Sequence, residues 1–303
     1  MRVLISGVSG FVGRRLARHL VESGDEVAGM ATERDFAIAG VKLQVADLLE
    51  PSSLAAAVER FDPEVVVHLA GLSHVGESWR RVAAYFDVNV LGTENLLAAS
   101  RGRRFVLASS AEIYGPVPEA EQPIPEERPV APPSPYAVTK AAAERLALRA
   151  GRAIIVRSFN LVGPGQSHRF ALPAFAVQLA AIRDGRQEPV LAVGNLEARR
   201  DFLHVDDGVA GYRVLAERGE EGQVYNLGSG EDWSMRQALD LLMDVAGVAA
   251  RVEIDPLRFR PVDLPLLRAD TRRLRALGWA PRRGLREALQ DLWEEVAAGG
   301  GAE

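Results

Sequence analysis

Six short runs of branched aliphatic residues, separated by stretches with helical spacing, restrict this chain to one broad kind of fold. The runs are Arg2–Ser6, Glu26–Met30, Lys42–Val45, Glu64–Leu69, Arg104–Ser109 and Ala153–Arg157. They alternate little between apolar and polar residues, as strands covered on both faces should. Between the first two, Phe11, Val12, Leu16, Leu20 and Val21 form the stripe of a helix over Phe11–Ser23, with Gly24 as its stop. Strands alternating with helices predict right-handed βαβ units and an α/β fold with a doubly wound parallel sheet. At 303 residues the chain exceeds one compact core, so two lobes are expected. Pro116–Pro135 holds eight of the seventeen prolines and reads as an ordered loop. The alternation lapses through Leu161–Arg200 and resumes with a helix at Val205–Leu215 and a strand at Gln223–Leu227. From Glu231 the pattern is helical, broken by Pro256, Pro261 and Pro265. The expected division is a first lobe of 1–160 plus about 203–230, and a smaller, partly discontinuous lobe of 161–202 and 231–303.

Composition removes several function classes. With no cysteine, disulfides, cysteine-ligated zinc, iron–sulfur clusters and thiol nucleophiles are excluded. A net charge of −5 lacks the basic footprint of a nucleic-acid binder. No run reaches the ~18 apolar residues of a membrane span, so neither nucleic acid nor membrane is expected as a partner. The first strand begins at Arg2, which leads to the expectation of no leader peptide and a cytoplasmic protein. Of 36 basic residues only Lys42 and Lys140 are lysines. In a chain that writes arginine almost everywhere, position 140 stands out as one that needs an ammonium.

Ser6-Gly7-Val8-Ser9-Gly10-Phe11-Val12-Gly13 follows a strand and opens a helix. In that context Gly7 permits a tight turn, Gly10 lets backbone approach a pyrophosphate, and Gly13 lets helix pack on strand, as in a Rossmann-type lobe. The spacing is GxxGxxG rather than GxGxxG, and a glycine-rich turn without ligand is the alternative. At the end of the second strand, Ala31 stands where an acid would hold a ribose 2′-hydroxyl. Thr32 and Arg34 suit a 2′-phosphate, which favours NADP(H); Glu33 leaves NAD(H) open. Asp47-Leu48 reads equally as an adenine contact or as a helix-approach turn.

Tyr136-Ala137-Val138-Thr139-Lys140 opens an alanine-rich helix and puts phenol and ammonium on one face. The expected effect of the ammonium is to lower the tyrosine pKa from about 10, giving a proton donor and acceptor for carbonyl–alcohol chemistry. Ser110, at the end of the fifth strand, is placed to polarise a carbonyl, and Ser109 reads as a strand-end cap.

Taken together, the GxxGxxG turn, Asp47-Leu48, His68-Leu69-Ala70-Gly71, Ser110-x-Glu112-x-Tyr114-Gly115, Tyr136-x-x-x-Lys140, Asn160 and Arg200-Asp201-Phe202 resemble the extended short-chain dehydrogenase/reductases that act on nucleotide sugars. The likeness covers essentially the whole chain. Gly163-Pro164-Gly165-Gln166, Gly194-Asn195-Leu196-Glu197-Ala198 and Pro256-Leu257-Arg258-Phe259-Arg260-Pro261 are similar to the reductases of GDP-4-keto-6-deoxy-D-mannose, which form GDP-D-rhamnose. Related dehydratases are longer and carry Gln-Asp-Gly after the second motif glycine, where this chain has Phe11-Val12-Gly13.

The resemblance implies a catalytic trio of Ser110, Tyr136 and Lys140, with Lys140 also holding the nicotinamide ribose. Leu69, Ala70 and Gly71 would border the cofactor together with the glycine turn. Ser73 and His74 would approach the sugar, and Asn160 the substrate diphosphate. Asn195, Arg200, Arg260 and Asp263 would hold the nucleotide, Asp263 at its ribose. Alternatives are a turn cap for Asn160 and an ion pair of Arg200 with Asp201 or Asp206; Asp201 itself reads as structural. In the dehydratases an acid at position 112 removes the C5 proton. Here Glu112 either hydrogen-bonds a sugar hydroxyl, the favoured reading, or marks residual dehydratase activity. The implied reaction is NADPH-dependent reduction of a GDP-linked 4-keto-6-deoxyhexose at C4. The alternatives are a 4,6-dehydratase or 4-epimerase that recycles NAD(P), and a non-enzymatic NADP(H) sensor. In relatives, helices matching Trp79–Ser100 and the one opened by Tyr136 pair between subunits, which implies a homodimer; burial on the chain's own sheet is the alternative.

Overall fold

A computed structural model describes residues 1–33, 36–259 and 262–299. Its central sheet contains β1 (Arg2–Ser6), β2 (Glu26–Ala31), β3 (Val41–Val45), β4 (Val65–His68), β5 (Arg104–Ser110), β6 (Ala153–Ser158) and β7 (Val224–Leu227). They lie in the order β7-β6-β5-β4-β1-β2-β3, every neighbour parallel. The longer helices are α1 (Phe11–Glu22), α2 (Pro51–Phe61), α3 (Gly92–Ala99), α4 (Pro135–Ala150), α5 (Ala171–Arg183), α6 (Val205–Arg218), α7 (Met235–Ala246) and α8 (Leu285–Ala297).

The strands are apolar on both sides because both sides are covered. On one face Leu16, Ala17 and Leu20 of α1 and Val209, Tyr212 and Leu215 of α6 pack on Val3, Ile5, Val67 and Val156. On the other, Leu54 and Val58 of α2, Leu96 of α3 and Ala143 and Ala147 of α4 pack on Leu4, Val66, Leu107 and Ile155. Each fully buried Val, Leu or Ile contributes roughly 1.5–3 kcal/mol. Among the described residues no helix is long and apolar enough to cross a membrane.

A separate core joins α5, α7 and α8 around Phe175, Leu179, Leu239, Leu242, Leu289 and Leu292. Two elements here differ from the sequence expectation. α5 falls in the stretch where the βα rhythm was expected to lapse; it is apolar nearly all round, so it carries no amphipathic stripe. Arg251–Ile254, expected within a helical region, is a strand paired with Val190–Val193. Gly247 closes α7 at φ 64°, and the β-branched Val252 and Ile254 then favour extension. The proline-rich loop is ordered: Ile124 is fully buried, and its N–H donates to the Arg268 carbonyl at 2.8 Å.

Candidate active site

The strand order reverses beside β1, between β1–β2 and β1–β4, and the loops leaving β1, β4 and β5 open there into one cleft, where open parallel sheets bind ligands. Its volume is about 1780 Å³, more than the ~300–1,000 Å³ of a site for one small molecule.

The glycine turn forms one end. Gly7 has φ 72°, and a Cβ there would sit 2.7 Å from the Ala70 nitrogen. A Cβ on Gly13 would sit 2.1 Å from the Gly7 carbonyl, so only glycine lets α1 start this close to β1. Gly10 is the N-cap of α1, and neither a capping side chain nor an acid occupies the first turn. The Gly10 N–H donates to the Gly7 carbonyl at 3.0 Å, and a glycine-rich helix start on the cleft wall is the arrangement that binds a pyrophosphate.

β5 delivers Ser110 to the middle of the cleft. Its hydroxyl accepts a hydrogen bond from the Glu112 N–H at 3.2 Å, which starts a 3-10 turn over Ala111–Tyr114 and puts Glu112 on the wall. α4 begins opposite: Ser134 caps it by accepting from the Ala137 N–H, and Pro135 opens its first turn. Tyr136 and Lys140 both line the cleft. Burial pushes the Tyr136 phenol up to about 12, Ser110 pulls it the other way, and the charges of Glu112 and Tyr85 push it further up. Burial lowers Lys140 to about 8, against a smaller upward pull from Glu144. The expectation of a Tyr136 pKa lowered by Lys140 is thus corrected. Desolvation dominates, and the proton stays on the phenol at neutral pH.

Ser109, expected as a strand-end cap, borders the cleft and donates to Glu144. Glu144 in turn receives two hydrogen bonds from Arg157, at 3.1 and 2.8 Å, and the two side chains are 5% and 7% exposed. This buried ion pair ties α4 to β6, and Ser109 adds β5. His68 is also internal. Its ring nitrogens meet Ser6 at 2.6 Å and Thr93 at 3.0 Å, and burial lowers its pKa to about 3, so it is neutral.

Most of the other expected residues reach the same cleft. Phe11, Val12, Leu69, Gly71, Ser73, His74, Asn160, Asn195, Arg200 and Asp263 all line it. Arg200 pairs with neither Asp201 nor Asp206. Its guanidinium meets Asp263 at 2.6 Å and donates to the Leu264 carbonyl at 2.6 Å. Asn195 donates to the other Asp263 oxygen at 2.7 Å. Asp201 is fully buried and accepts from the N–H groups of Ser229, Gly230 and Ala269, a structural role. His74 and Glu77 tie the loop after β4 to the loop before α5: His74 Nε2 lies 3.2 Å from the Arg169 carbonyl, and Glu77 pairs with Arg169 at 2.7 Å.

Four expected contacts lie off the cleft wall. Asp47 accepts the Leu49 N–H at 2.9 Å, as a helix-approach turn does. Leu48 packs against Gly92 of α3. Ala70 backs the glycine turn, its N–H donating to Ser6 at 3.3 Å. Thr32 is exposed beyond β2. Arg34 and Arg260 lie outside the described residues. The sequence reading missed Ser158 and Tyr212, whose hydroxyls meet at 2.8 Å on the cleft floor; no local pattern links residues so far apart. It also missed Asn89, in a π-helical turn over Asp87–Leu91, which donates to Thr139 at 3.0 Å. A π turn is a recurrent marker of functional sites, but it has no sequence signature.

The family model described as GDP-mannose 4,6 dehydratase matches residues 4–292. The chain belongs to that family. Members of the GDP-mannose 4,6-dehydratase family need not share its title reaction, and the relatives of this member differ in their names. It is 38% identical to GDP-6-deoxy-D-mannose reductase of Pseudomonas aeruginosa over 97% of both chains. It is 32% identical to UDP-glucose 4-epimerase of Streptomyces lividans, over 97% of this chain and 95% of that one. The structure of RMD from Pseudomonas aeruginosa complexed with NADPH superimposes with a TM-score of 0.86 at 36% identity, covering 98% of this chain and 99% of that one. This family member is therefore an extended short-chain dehydrogenase/reductase with a Rossmann-like sheet.

Proposed function

We propose that the protein is an NADPH-dependent reductase that converts GDP-4-keto-6-deoxy-D-mannose to GDP-D-rhamnose. The observation that carries this reading is a protonated, buried Tyr136 in the same cleft as Ser110, Lys140 and the open N-terminus of α1. Reduction of a carbonyl needs a proton donor, and a phenol held at about 12 keeps its proton at neutral pH. The reductase name of a relative that matches along both full lengths supports the substrate.

The glycine turn and the first turn of α1 fit a pyrophosphate. The Cβ-free surface at Gly7 and Gly13 fits its close approach. Bound NADPH supplies the hydride. Ser110 holds the C4 oxygen, Tyr136 gives it a proton, and Lys140 holds the nicotinamide ribose. Leu69 and Gly71 border the cofactor, and the sequence reading assigns Thr32 and Arg34 to its adenosine 2′-phosphate. NAD(H) remains usable through Glu33. Ser73, His74 and Glu112 face the sugar, Glu112 through a hydroxyl. Asn160 faces the diphosphate, and Asn195, Arg200, Arg260 and Asp263 hold the nucleotide. On this assignment 1–160 and about 203–230 form the cofactor lobe, and 161–202 and 231–303 the nucleotide-sugar lobe. The pairing of β7 with β6 and the packing of α6 on α1 support it. Trp79, Val82, Phe86, Leu91 and Val138 are exposed and apolar, which supports a homodimer built on Trp79–Ser100 and α4. The cytoplasm, where nucleotide sugars and NADPH meet, is the proposed location.

The test supplies GDP-4-keto-6-deoxy-D-mannose and NADPH, follows NADPH fluorescence and identifies the product by NMR. The expected result is one NADPH consumed per keto-sugar. Turnover without net consumption overturns the reading in favour of a dehydratase or epimerase; binding without turnover favours a sensor.

The lowered Lys140 gives a pH dependence with a definite sign. Above pH 8 the folded protein loses the ammonium, so NADPH binding weakens as pH rises through that value. Between 8 and the ordinary 10.5 only the unfolded chain keeps this proton, so this group makes stability rise with pH there. NADPH titrations on either side of pH 8 should show the weakening. In Lys140→Met, where nothing titrates, the profile should be flat.

A further inference from the structure

The cleft continues past the glycine turn along α1, and Arg14 stands on that extension. Its Nε donates to the Ser9 carbonyl at 2.7 Å. Its guanidinium carbon lies 4.7 Å from the centre of the Phe36 ring, in the segment that follows β2. One hydrogen bond and one aromatic platform thus fix the plane of the guanidinium. Among the described residues no acid or carbonyl accepts from its two terminal nitrogens. On the same helix, by contrast, Arg15 is held by Asp206 at 3.1 Å. The Gly7 N–H donates to the Met30 carbonyl at 3.2 Å, so the glycine turn and the end of β2 are adjacent. An adenosine ribose that follows a pyrophosphate on the glycine turn falls between them, beside Arg14. The strand ends there in Ala31, where an acid would take a 2′-hydroxyl or repel a phosphate.

We propose that Arg14, held against Phe36, binds the adenosine 2′-phosphate of the cofactor and thereby sets the preference for NADP(H) over NAD(H). The inference rests on the cofactor reading above and adds a residue to it. A planar fork with two outward N–H edges matches a phosphate, and its fixed orientation reduces the ordering needed on binding.

The test measures NADPH and NADH dissociation constants by nicotinamide fluorescence on the full chain, without substrate. Wild type is compared with Arg14→Met, Phe36→Leu and Arg18→Met; Arg18→Met removes a charge from the same helix but touches no platform. Circular dichroism confirms that each variant is folded. Arg14→Met should weaken NADPH by about ten- to a hundredfold and leave NADH unchanged. Phe36→Leu should shift NADPH in the same direction by less, and Arg18→Met should leave the ratio of the two constants at its wild-type value. Retained NADPH affinity in Arg14→Met, an equal loss for both cofactors, or an equal loss in Arg18→Met overturns the proposal. A wild-type chain that binds neither cofactor overturns the reading beneath it instead.

Discussion

Turnover of Tyr136→Phe should fall by about 10²- to 10⁴-fold, the usual worth of a positioned proton donor, while NADPH titrates as in wild type. The substitution removes one oxygen and keeps the ring. That ring packs edge-on against Tyr85, with centroids 6.4 Å apart at 88°, and the residue is 8% exposed. Little room is left for a water to take over the proton. Phe also leaves in place Ser134, which caps α4, and Lys140, so the fold and the cofactor contacts survive. Steady-state kcat and KM for keto-sugar reduction, beside an NADPH titration, separate the effects. A wild-type rate would remove Tyr136 from the mechanism.

Glu144→Ala should destabilise the protein by about 3–5 kcal/mol, the cost of stranding one partner of a buried pair. Arg157 would lose both charge-assisted contacts and keep the Glu126 carbonyl, 3.0 Å from Nη1, and the Tyr114 ring. Ser109 would lose its acceptor as well. Replacing both members, Glu144→Leu with Arg157→Leu, should recover most of the loss, because no uncompensated charge then remains. Urea unfolding of the two variants checks this. A single variant within about 1 kcal/mol of wild type would mean that water reaches the pair.

The sheet was legible because its strands are buried on both faces, and continuous Val, Ile and Leu runs are the direct record of that. The glycine turn was legible because close backbone approach leaves no alternative to glycine at Gly7 and Gly13. α5 was not: without a polar face, burial leaves no period to read. Tyr136 and Lys140 mark the limit for the site. Their spacing places them on one helix face, but the shift of the phenol comes from its burial, against the opposite pull of Ser110, and burial is a property of the assembled fold. Likewise Asp263, which pairs with Arg200, lies far along the chain, and the pairing of Arg199–Arg200 with Leu266–Leu267 brings them together.

The position of β7 bears on how separable the two halves of the molecule are. The sheet begins at β1 but its outer edge is supplied from residues beyond 220, and α6 covers that end of one face. A chain cut after residue 160 would bare the edge of β6 and the apolar row of Ile154 and Val156 that α6 shields. The fragment would be sticky rather than autonomous. The half that carries the central sheet is therefore no detachable cassette: it is finished only after the chain has left to build part of the other half and returned.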